Sequence, residues 1–269
     1  SKIDQYLPMF SIMAVIPLAA ACAGLVAACL WSIAGSWFFP SALPQNFHLI
    51  HWQDMTSYVP LLKNSFLLAG GASFAALLAV LAWSYAAPNT TLNNRWLLGS
   101  IFMPFFMPQI SFLLGMQISL SRVGLDGTWL ALIWVHVIFI LPYTWLIVIP
   151  ARRALDHRLD HLAATLGASG WKRFITLHMP LMAYPLATAL FIGIAVSMAL
   201  YLPTVFVGAG RINTITVEAV SLASSGSRGP AGLAAMLQIA IPVISFAIIH
   251  WGLRCRFGRF SGMQSGRLQ

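Results

Sequence analysis

The residues best equipped for chemistry in this sequence include two histidines with the spacing of metal ligands. His157 and His161 lie four positions apart, and each follows an aspartate, Asp156 or Asp160. On an α-helix this spacing places both imidazoles on one face, where they could bind zinc. Zinc also needs a third ligand and, usually, buried hydrogen-bond partners for its ligands. We therefore expect no metal site here.

Three further histidines, His48, His51 and His136, could act as acids or bases in a membrane enzyme. Such an enzyme also needs acids and bases within its apolar segments, and no charged residue lies deep in any of them. His136 is the one titratable residue in the middle of a long apolar run. It is interpreted either as part of a transport pathway or as a neutral histidine hydrogen-bonded to a neighbouring helix.

The composition is that of a membrane protein. Hydrophobic residues make up 59% of the 269 residues and charged residues 8%, whereas about a quarter of a soluble domain is charged. About 20 apolar residues cross the hydrocarbon, and six stretches are long enough: about Met9–Ala34, Leu61–Ala86, Trp96–Leu120, Trp129–Ile149, Leu181–Tyr201 and Gly232–Leu253. We expect an all-α polytopic membrane protein with six transmembrane helices, the first retained rather than cleaved as a signal peptide. A single membrane domain, 1–269, is the simplest arrangement.

The basic residues predict how the spans are oriented. With the N-terminus inside, 11 lysines and arginines fall on the inner side and 4 on the outer side. Because cytoplasmic loops carry the excess of positive charge, both termini are expected in the cytoplasm. The net charge of +9 is then explained by loops facing anionic lipid, and no nucleic-acid partner is expected.

A polar segment, residues 151–180, separates the fourth and fifth apolar stretches. Its leucines recur at intervals of 4, 3 and 4 residues and predict one apolar stripe on a helix: Leu155, Leu159, Leu162 and Leu166. Gly167 is typical of the position just past a helix end. A second, basic helix is expected from Trp171 to a boundary at Pro180. The segment is interpreted either as a helix lying on the lipid surface or as a docking element for a cytoplasmic partner.

The same segment resembles the EAA loop of type I ABC-importer permeases. That motif has E-A-A, three residues, a glycine and, further on, a hydrophobic residue followed by proline. Gly167 and Pro180 keep the glycine-to-proline spacing of the family, and LGASGWKRF is similar to its L-G-A-[ST]-x-W-x-x-F run. The segment also lies between the fourth and fifth spans, on the side expected to be cytoplasmic, as in the family.

Three other stretches extend the resemblance over nearly the whole chain: KNSFLLA, WVHVIFILPYTWLIV and YLPTVFVGAGRINTITVEAV. They resemble, in order, the family's entry to the second span, its fourth span, and the outer end of the fifth span with the loop that follows. The last is similar to the branch that transports iron, thiamine and polyamines. A small polar or cationic solute of that kind is the expected substrate class.

The resemblance implies a type I ABC-importer permease fold in a bacterial inner membrane, and it implies partners. These are ABC ATPase subunits, a second permease copy or a sister permease, a periplasmic or extracellular solute-binding protein, and membrane lipid. ATP and Mg²⁺ would be bound by the ATPase, since no phosphate loop occurs in this chain. No cofactor and no enzymatic activity are therefore expected of the chain itself. The implied docking residues are Leu159, Asp160, His161, Leu162, Ala163, Ala164, Gly167 and Ala168.

The sequence departs from the family motif at its acidic position. His161 stands where the family has glutamate and Leu162 where it has the first alanine, while Ala163 keeps its type. A histidine cannot form the glutamate's ion pair with a basic residue of the ATPase. Asp160, one position earlier, is expected to supply the charge after a small rotation of the helix.

The solute pathway is expected to involve the third and fifth spans. Pro104 and Pro108 should kink the third span and free backbone carbonyls. The pathway candidates are Met103, Pro104, Met107, Pro108, Gln109, Ser111, His136, Ser197, Met198 and Tyr201. Helix-to-helix packing explains them equally well. The alternative function is an ion- or proton-coupled secondary transporter or a channel, which the lack of buried charges disfavours.

Overall fold

The computed structural model describes residues 2–35, 44, 46–86 and 94–257, with side chains from Val15 onwards. In the described part the chain folds into helices that we number in chain order. They are α1 (Lys2–Ile33), α2 (Ile50–Gln53), α3 (Met55–Ala86), α4 (Arg95–Phe106), α5 (Gln109–Arg122), α6 (Trp129–Arg153), α7 (His157–Thr165), α8 (Gly170–Leu181), α9 (Ala183–Ala199), α10 (Tyr201–Gly208), α11 (Ile215–Ser224) and α12 (Arg228–Phe257).

Four helices of the described part are long and apolar enough to cross a membrane: α1 over Val15–Ile33, α3, α6 and α12 over Arg228–Cys255. Two further candidates are bent pairs, α4 with α5 and α8 with α9. Counting each bent pair as one span gives six, at the positions that hydropathy predicts. The all-helical polytopic architecture expected from the sequence is thus confirmed. The count of six and the orientation of the termini stay predictions.

Backbone contacts divide the chain into two compact units, Ser1–Lys63 with Thr214–Ala240, and Asn64–Asn213 with Ile241–Gln269. In the first unit, the end of α1 packs closely on α12: a side chain at Gly232 would meet the backbone of Ser32 and Ala28. Cys29 Sγ also lies 3.3 Å from Met236 Sδ. Gly232 therefore lets α1 and α12 approach each other closely.

In the second unit, α6 lies at the centre and contributes the largest share of the core. Apolar clusters surround it, one near each end and a smaller one between them. The first includes Trp145, Val148 and Ile149 of α6 with Leu77 and Val80 of α3 and Met182 and Leu186 near the start of α9. The second includes Leu132, Val135 and Phe139 of α6 with Leu113 of α5 and Val207 of α10. Both clusters fix α5, α9 and α10 against α6.

Small residues allow α3 to pack tightly between α6 and α9. Ala69, Ala72, Ser73 and Ala76 are buried on one side of α3. A side chain at Gly193 of α9 would lie 2.8 Å from the hydroxyl of Ser73 and 3.1 Å from Ile140. Glycine at residue 193 therefore leaves room for the Ser73 side chain where the helices cross.

The kink predicted in the third span is present, and it is a sharp break. Helices α4 and α5 meet at 106°, and Met107 between them has extended dihedral angles, as expected for a residue before proline. Pro108 then caps the start of α5, whereas Pro104 lies inside α4. The break therefore occurs at the second proline of the pair.

The fifth span is also broken, and its boundary differs from the prediction at Pro180. Helix α8 continues through Pro180 to Leu181, and α9 begins at Ala183 with a bend of 73°. A π-helical turn over Phe174–His178 precedes the proline. The chain breaks at Met182, whose side chain is buried in the first apolar cluster.

Candidate functional site

The candidate site is the loop of residues 151–180, which the structure builds from the end of α6, from α7 and from α8. Helix α7 is shorter than predicted: α6 continues to Arg153, a turn follows, and Asp156 caps the new helix by accepting a 2.9 Å hydrogen bond from the Arg158 amide. Leu155 therefore lies before α7, where it packs against the apolar cluster of α6. The predicted four-leucine stripe is reduced to Leu159, Leu162 and the C-cap Leu166.

Helix α7 ends as the sequence predicts, at Gly167. This glycine has a φ of +77°, the left-handed region that favours glycine. Its amide donates to the carbonyl of Ala164 at 3.0 Å, and the Ala168 amide donates to Ala163 at 3.0 Å. These two bonds form a Schellman motif. Ser169 then caps α8, with 3.3 Å between its hydroxyl and the Lys172 amide, so the chain reverses within a few residues.

The loop exposes an apolar surface that no described part of the chain covers. Leu159 is 42% exposed, Leu162 60% and Leu166 87%, and Trp171 at the start of α8 is 69% exposed. We call these four residues the leucine–tryptophan surface. His161 and Ala164 are also exposed, while Ala163 and Ala168 are partly buried. Large exposed apolar side chains of this kind mark a contact with lipid or with another protein.

Asp160 does not point away from the loop. Its Oδ2 accepts a hydrogen bond from Nη1 of Arg173 at 3.0 Å, and its Oδ1 lies 3.2 Å from Nε2 of His178, within ion-pair distance. Both partners belong to α8, so the carboxylate joins α7 to α8. The side chains are half-buried, with 34% of Asp160, 27% of Arg173 and 17% of His178 exposed.

Aromatic rings hold the α8 side of this ion pair in place. Tyr85 at the end of α3 stacks on the imidazole of His178 at 5.4 Å between ring centroids, and its edge contacts Phe174 at 4.9 Å. The guanidinium of Arg152 lies 4.5 Å from the centroid of the same tyrosine ring, a cation–π contact. The loop is thus tied to both α3 and α6.

A second polar centre lies inside the helices, at His136. The residue is fully buried, its Nδ1 lies 2.8 Å from the Ser197 hydroxyl, and its Nε2 lies 3.2 Å from the Thr204 hydroxyl. The Thr204 hydroxyl donates its own proton to the carbonyl of Leu200 at 2.7 Å, so it can only accept from His136. Nε2 therefore carries the proton, and Nδ1 accepts from Ser197. This arrangement is that of a neutral histidine bonded to neighbouring helices.

The pathway candidates do not form one surface in this chain. His136, Ser197 and Met198 are buried, the first two in direct contact. Met103, Pro108 and Ser111 are exposed, whereas Pro104, Met107, Gln109 and Tyr201 are partly buried. His48 and His51 belong to the other compact unit. The role of these residues in a pathway stays a prediction.

Sequence reasoning did not include Tyr85, Arg173, His178 and Thr204 among the functional candidates. Arg173 and His178 follow Asp160 by 13 and 18 residues, and this spacing gives no signal for partners of Asp160, because α7 and α8 are joined by a reversal whose angle the sequence does not state. The two side chains share one side of α8 because the turn between them is π-helical, which the sequence does not indicate either. Among the described side chains, which do not include that of His157, no group of three possible metal ligands is found.

Comparison with known protein sequences shows that the chain is similar to permease proteins. No family model matches it. Over 187 residues, 70% of this chain, it is 37% identical to the inner membrane ABC transporter permease protein YnjC of Escherichia coli K12. It is 24% identical, over 75% of its length, to the putative 2-aminoethylphosphonate transport system permease protein PhnV of Salmonella paratyphi A.

The extent of these matches differs between the two relatives. The matched part covers 35% of YnjC and 78% of PhnV, so this chain spans about a third of the length of the first relative. Both relatives are permease proteins by name, and the four long apolar helices and two bent pairs suit a multi-pass protein of the same membrane. The resemblance expected from the sequence is confirmed: the chain is homologous to the inner-membrane permease proteins of ABC transporters.

Proposed function

We propose that the chain is a membrane-spanning permease subunit of an ATP-driven, binding-protein-dependent importer. Its loop of residues 151–180 docks an ATPase subunit on the cytoplasmic side, and the ATPase binds and hydrolyses ATP. A second permease copy or a sister permease completes the solute pathway, and an outer solute-binding protein delivers the solute. Homology to permease proteins supports the class of protein, and the leucine–tryptophan surface supports the docking role.

The observation that carries the docking proposal is the exposure of Leu162 and Leu166 on a helix whose ends are firmly capped. Covering one exposed leucine side chain stabilises a contact by about 2 kcal/mol. Two such leucines together with Trp171 are therefore enough to form the centre of a small interface. Lipid would cover the same side chains without requiring a capped reversal at Gly167.

The experiment is co-purification of the ATPase with the permease in mild detergent, comparing wild type with Leu166→Ser. We expect the substitution to reduce the ATPase recovered by about tenfold, since 1.4 kcal/mol corresponds to a factor of ten. Leu130→Ser is the matched control, because Leu130 is also exposed, at 68%, but lies at the start of α6. Equal recovery with Leu166→Ser and wild type would reject docking through this surface.

The transported solute is proposed as a small charged or polar molecule. The name of PhnV points to 2-aminoethylphosphonate, and the motif after the fifth span resembles the iron, thiamine and polyamine branch. Titrating the cognate binding protein with 2-aminoethylphosphonate, thiamine, a polyamine and ferric iron identifies the solute. Coupled transport in the absence of any ATPase would instead favour a secondary transporter or a channel.

A further inference from the structure

We propose that Asp160 is an internal positioning residue that holds α7 against α8, and that it does not supply the charge that the family's glutamate offers to the ATPase. The relevant juxtaposition is one carboxylate between two side chains of the next helix, Arg173 at 3.0 Å and His178 at 3.2 Å. We call these three residues the brace. Its effect on coupling rests on the proposed docking function, whereas its effect on the shape of the loop does not.

Geometry argues against an outward role for Asp160. The two carboxylate oxygens face different partners, Oδ2 towards Arg173 and Oδ1 towards His178, so neither oxygen is turned to the exposed side of α7. A rotation of α7 that presented Asp160 to another protein would break the bond to Arg173. Leaving a partly buried guanidinium without its carboxylate is unfavourable. The sequence-based expectation that Asp160 replaces the glutamate thus conflicts with the contacts that it makes.

A cavity of about 90 Å³ lies beside the brace, lined by Arg152, Asp156, Asp160, His178 and four leucines. Asp160 Oδ1 and His178 Nδ1 are buried and have no hydrogen-bond partner within the described part of the chain. The cavity has room for about three water molecules, so water rather than another protein is the available partner for these two atoms.

The brace has two cationic partners of different kinds, and this difference provides a test. Arg173 keeps its charge at every accessible pH and donates the 3.0 Å hydrogen bond, whereas His178 lies 3.2 Å from the other carboxylate oxygen. In Arg173→Gln, Asp160 keeps only the His178 contact, so the brace of that variant should be weaker than that of wild type. Removing both partners should abolish it.

The experiment measures the distance between spin labels on α7 and α8 in the purified full chain. The labels are introduced by Arg158→Cys and Thr176→Cys, both exposed positions, after replacing Cys22, Cys29 and Cys255 by alanine. We expect a narrow distance distribution for wild type, a broader one for Arg173→Gln, and the broadest for Arg173→Gln combined with His178→Gln. Lys172→Gln, which removes an adjacent exposed cation, should match wild type.

Several outcomes would overturn the proposal. A distribution for Arg173→Gln with His178→Gln that is as narrow as that of wild type contradicts an ion-pair brace, as does equal broadening by Lys172→Gln. ATPase recovery is measured on the same variants and on Asp160→Asn. If Asp160→Asn abolishes ATPase recovery while the distance distribution stays narrow, Asp160 contacts the ATPase directly. If wild type recovers no ATPase, the proposed function fails, and the distance measurements still decide whether the brace exists.

Discussion

At the scale of single residues, the docking loop depends on backbone conformation at Gly167. Its place after a helical leucine pattern predicts that Gly167 lies just past the end of a helix, and its φ of +77° confirms this prediction. No atom lies within 4 Å of the position that a Cβ would occupy, so the requirement for glycine comes from the dihedral angles alone. The partners of Asp160 were not predictable in the same way, because they depend on the angle between two helices.

Gly167→Ala should therefore weaken the end of α7 without creating a steric clash. A left-handed conformation costs a residue with a Cβ about 1 kcal/mol, and we expect amide exchange at the end of α7 to become roughly fivefold faster. Hydrogen exchange followed by mass spectrometry measures this change. Gly170→Ala is the control, since Gly170 begins α8 with ordinary helical geometry. Unchanged exchange in Gly167→Ala would show that the Schellman motif does not hold the loop.

At the scale of helices, His136 bonds to two consecutive helices, α9 and α10, which are separated by a break in the helical backbone. Ser197 lies in α9 before the discontinuity at Leu200, and Thr204 lies in α10 after it. One imidazole on α6 binds both hydroxyls and so fixes the angle between the two helices. The sequence suggested a bonded neutral histidine as one interpretation, and the signal for the break at Leu200 is Pro203, whose missing amide proton removes the helical donor for the carbonyl of Ala199.

Replacing the imidazole should destabilise the protein, because the Ser197 hydroxyl loses its partner and the Thr204 hydroxyl keeps only its bond to Leu200. We expect His136→Leu to lower the free energy of unfolding by about 1–3 kcal/mol, measured by denaturant titration in detergent. Thr144→Val is the matched control, because Thr144 is buried on the same helix and donates within it, to Ile140. Combining His136→Leu with Ser197→Ala and Thr204→Val should recover part of the loss. A change no larger than that of Thr144→Val would reject the role of His136.

At the scale of the whole molecule, hydropathy predicts where the apolar helices lie, because about 20 apolar residues suffice to identify a span. It does not predict how far a span bends. The third span illustrates this: prolines indicate a kink, yet the 106° between α4 and α5 depends on packing around Leu113. The bend at Met182 lies between Pro180 and Pro185, so prolines mark this region as well, but they do not predict the size of the bend. Orientation rests on the distribution of basic residues and awaits measurement.

Labelling with a membrane-impermeant maleimide tests that orientation. In a chain without its native cysteines, we expect Ser225→Cys to react with the maleimide in cells whose outer membrane is permeabilised and whose inner membrane is intact. We expect Ala164→Cys to react only after lysis. Both positions are exposed, the first in the turn after α11 and the second in α7. The opposite result would place the loop of residues 151–180 on the outer side of the membrane and contradict its proposed contact with a cytoplasmic ATPase.

The break between α4 and α5 also limits the depth at which this part of the chain can lie. Pro108 has no amide proton, so the carbonyl of Pro104 lacks its usual helical donor. Hydrocarbon offers no substitute, and such a carbonyl is tolerated only beside protein or water. Phe106, next to the break, is 84% exposed. A hydrated cleft reaching this level would make Phe106→Cys reactive towards aqueous thiol reagents, whereas Leu114→Cys, exposed further along α5, would stay unreactive in lipid.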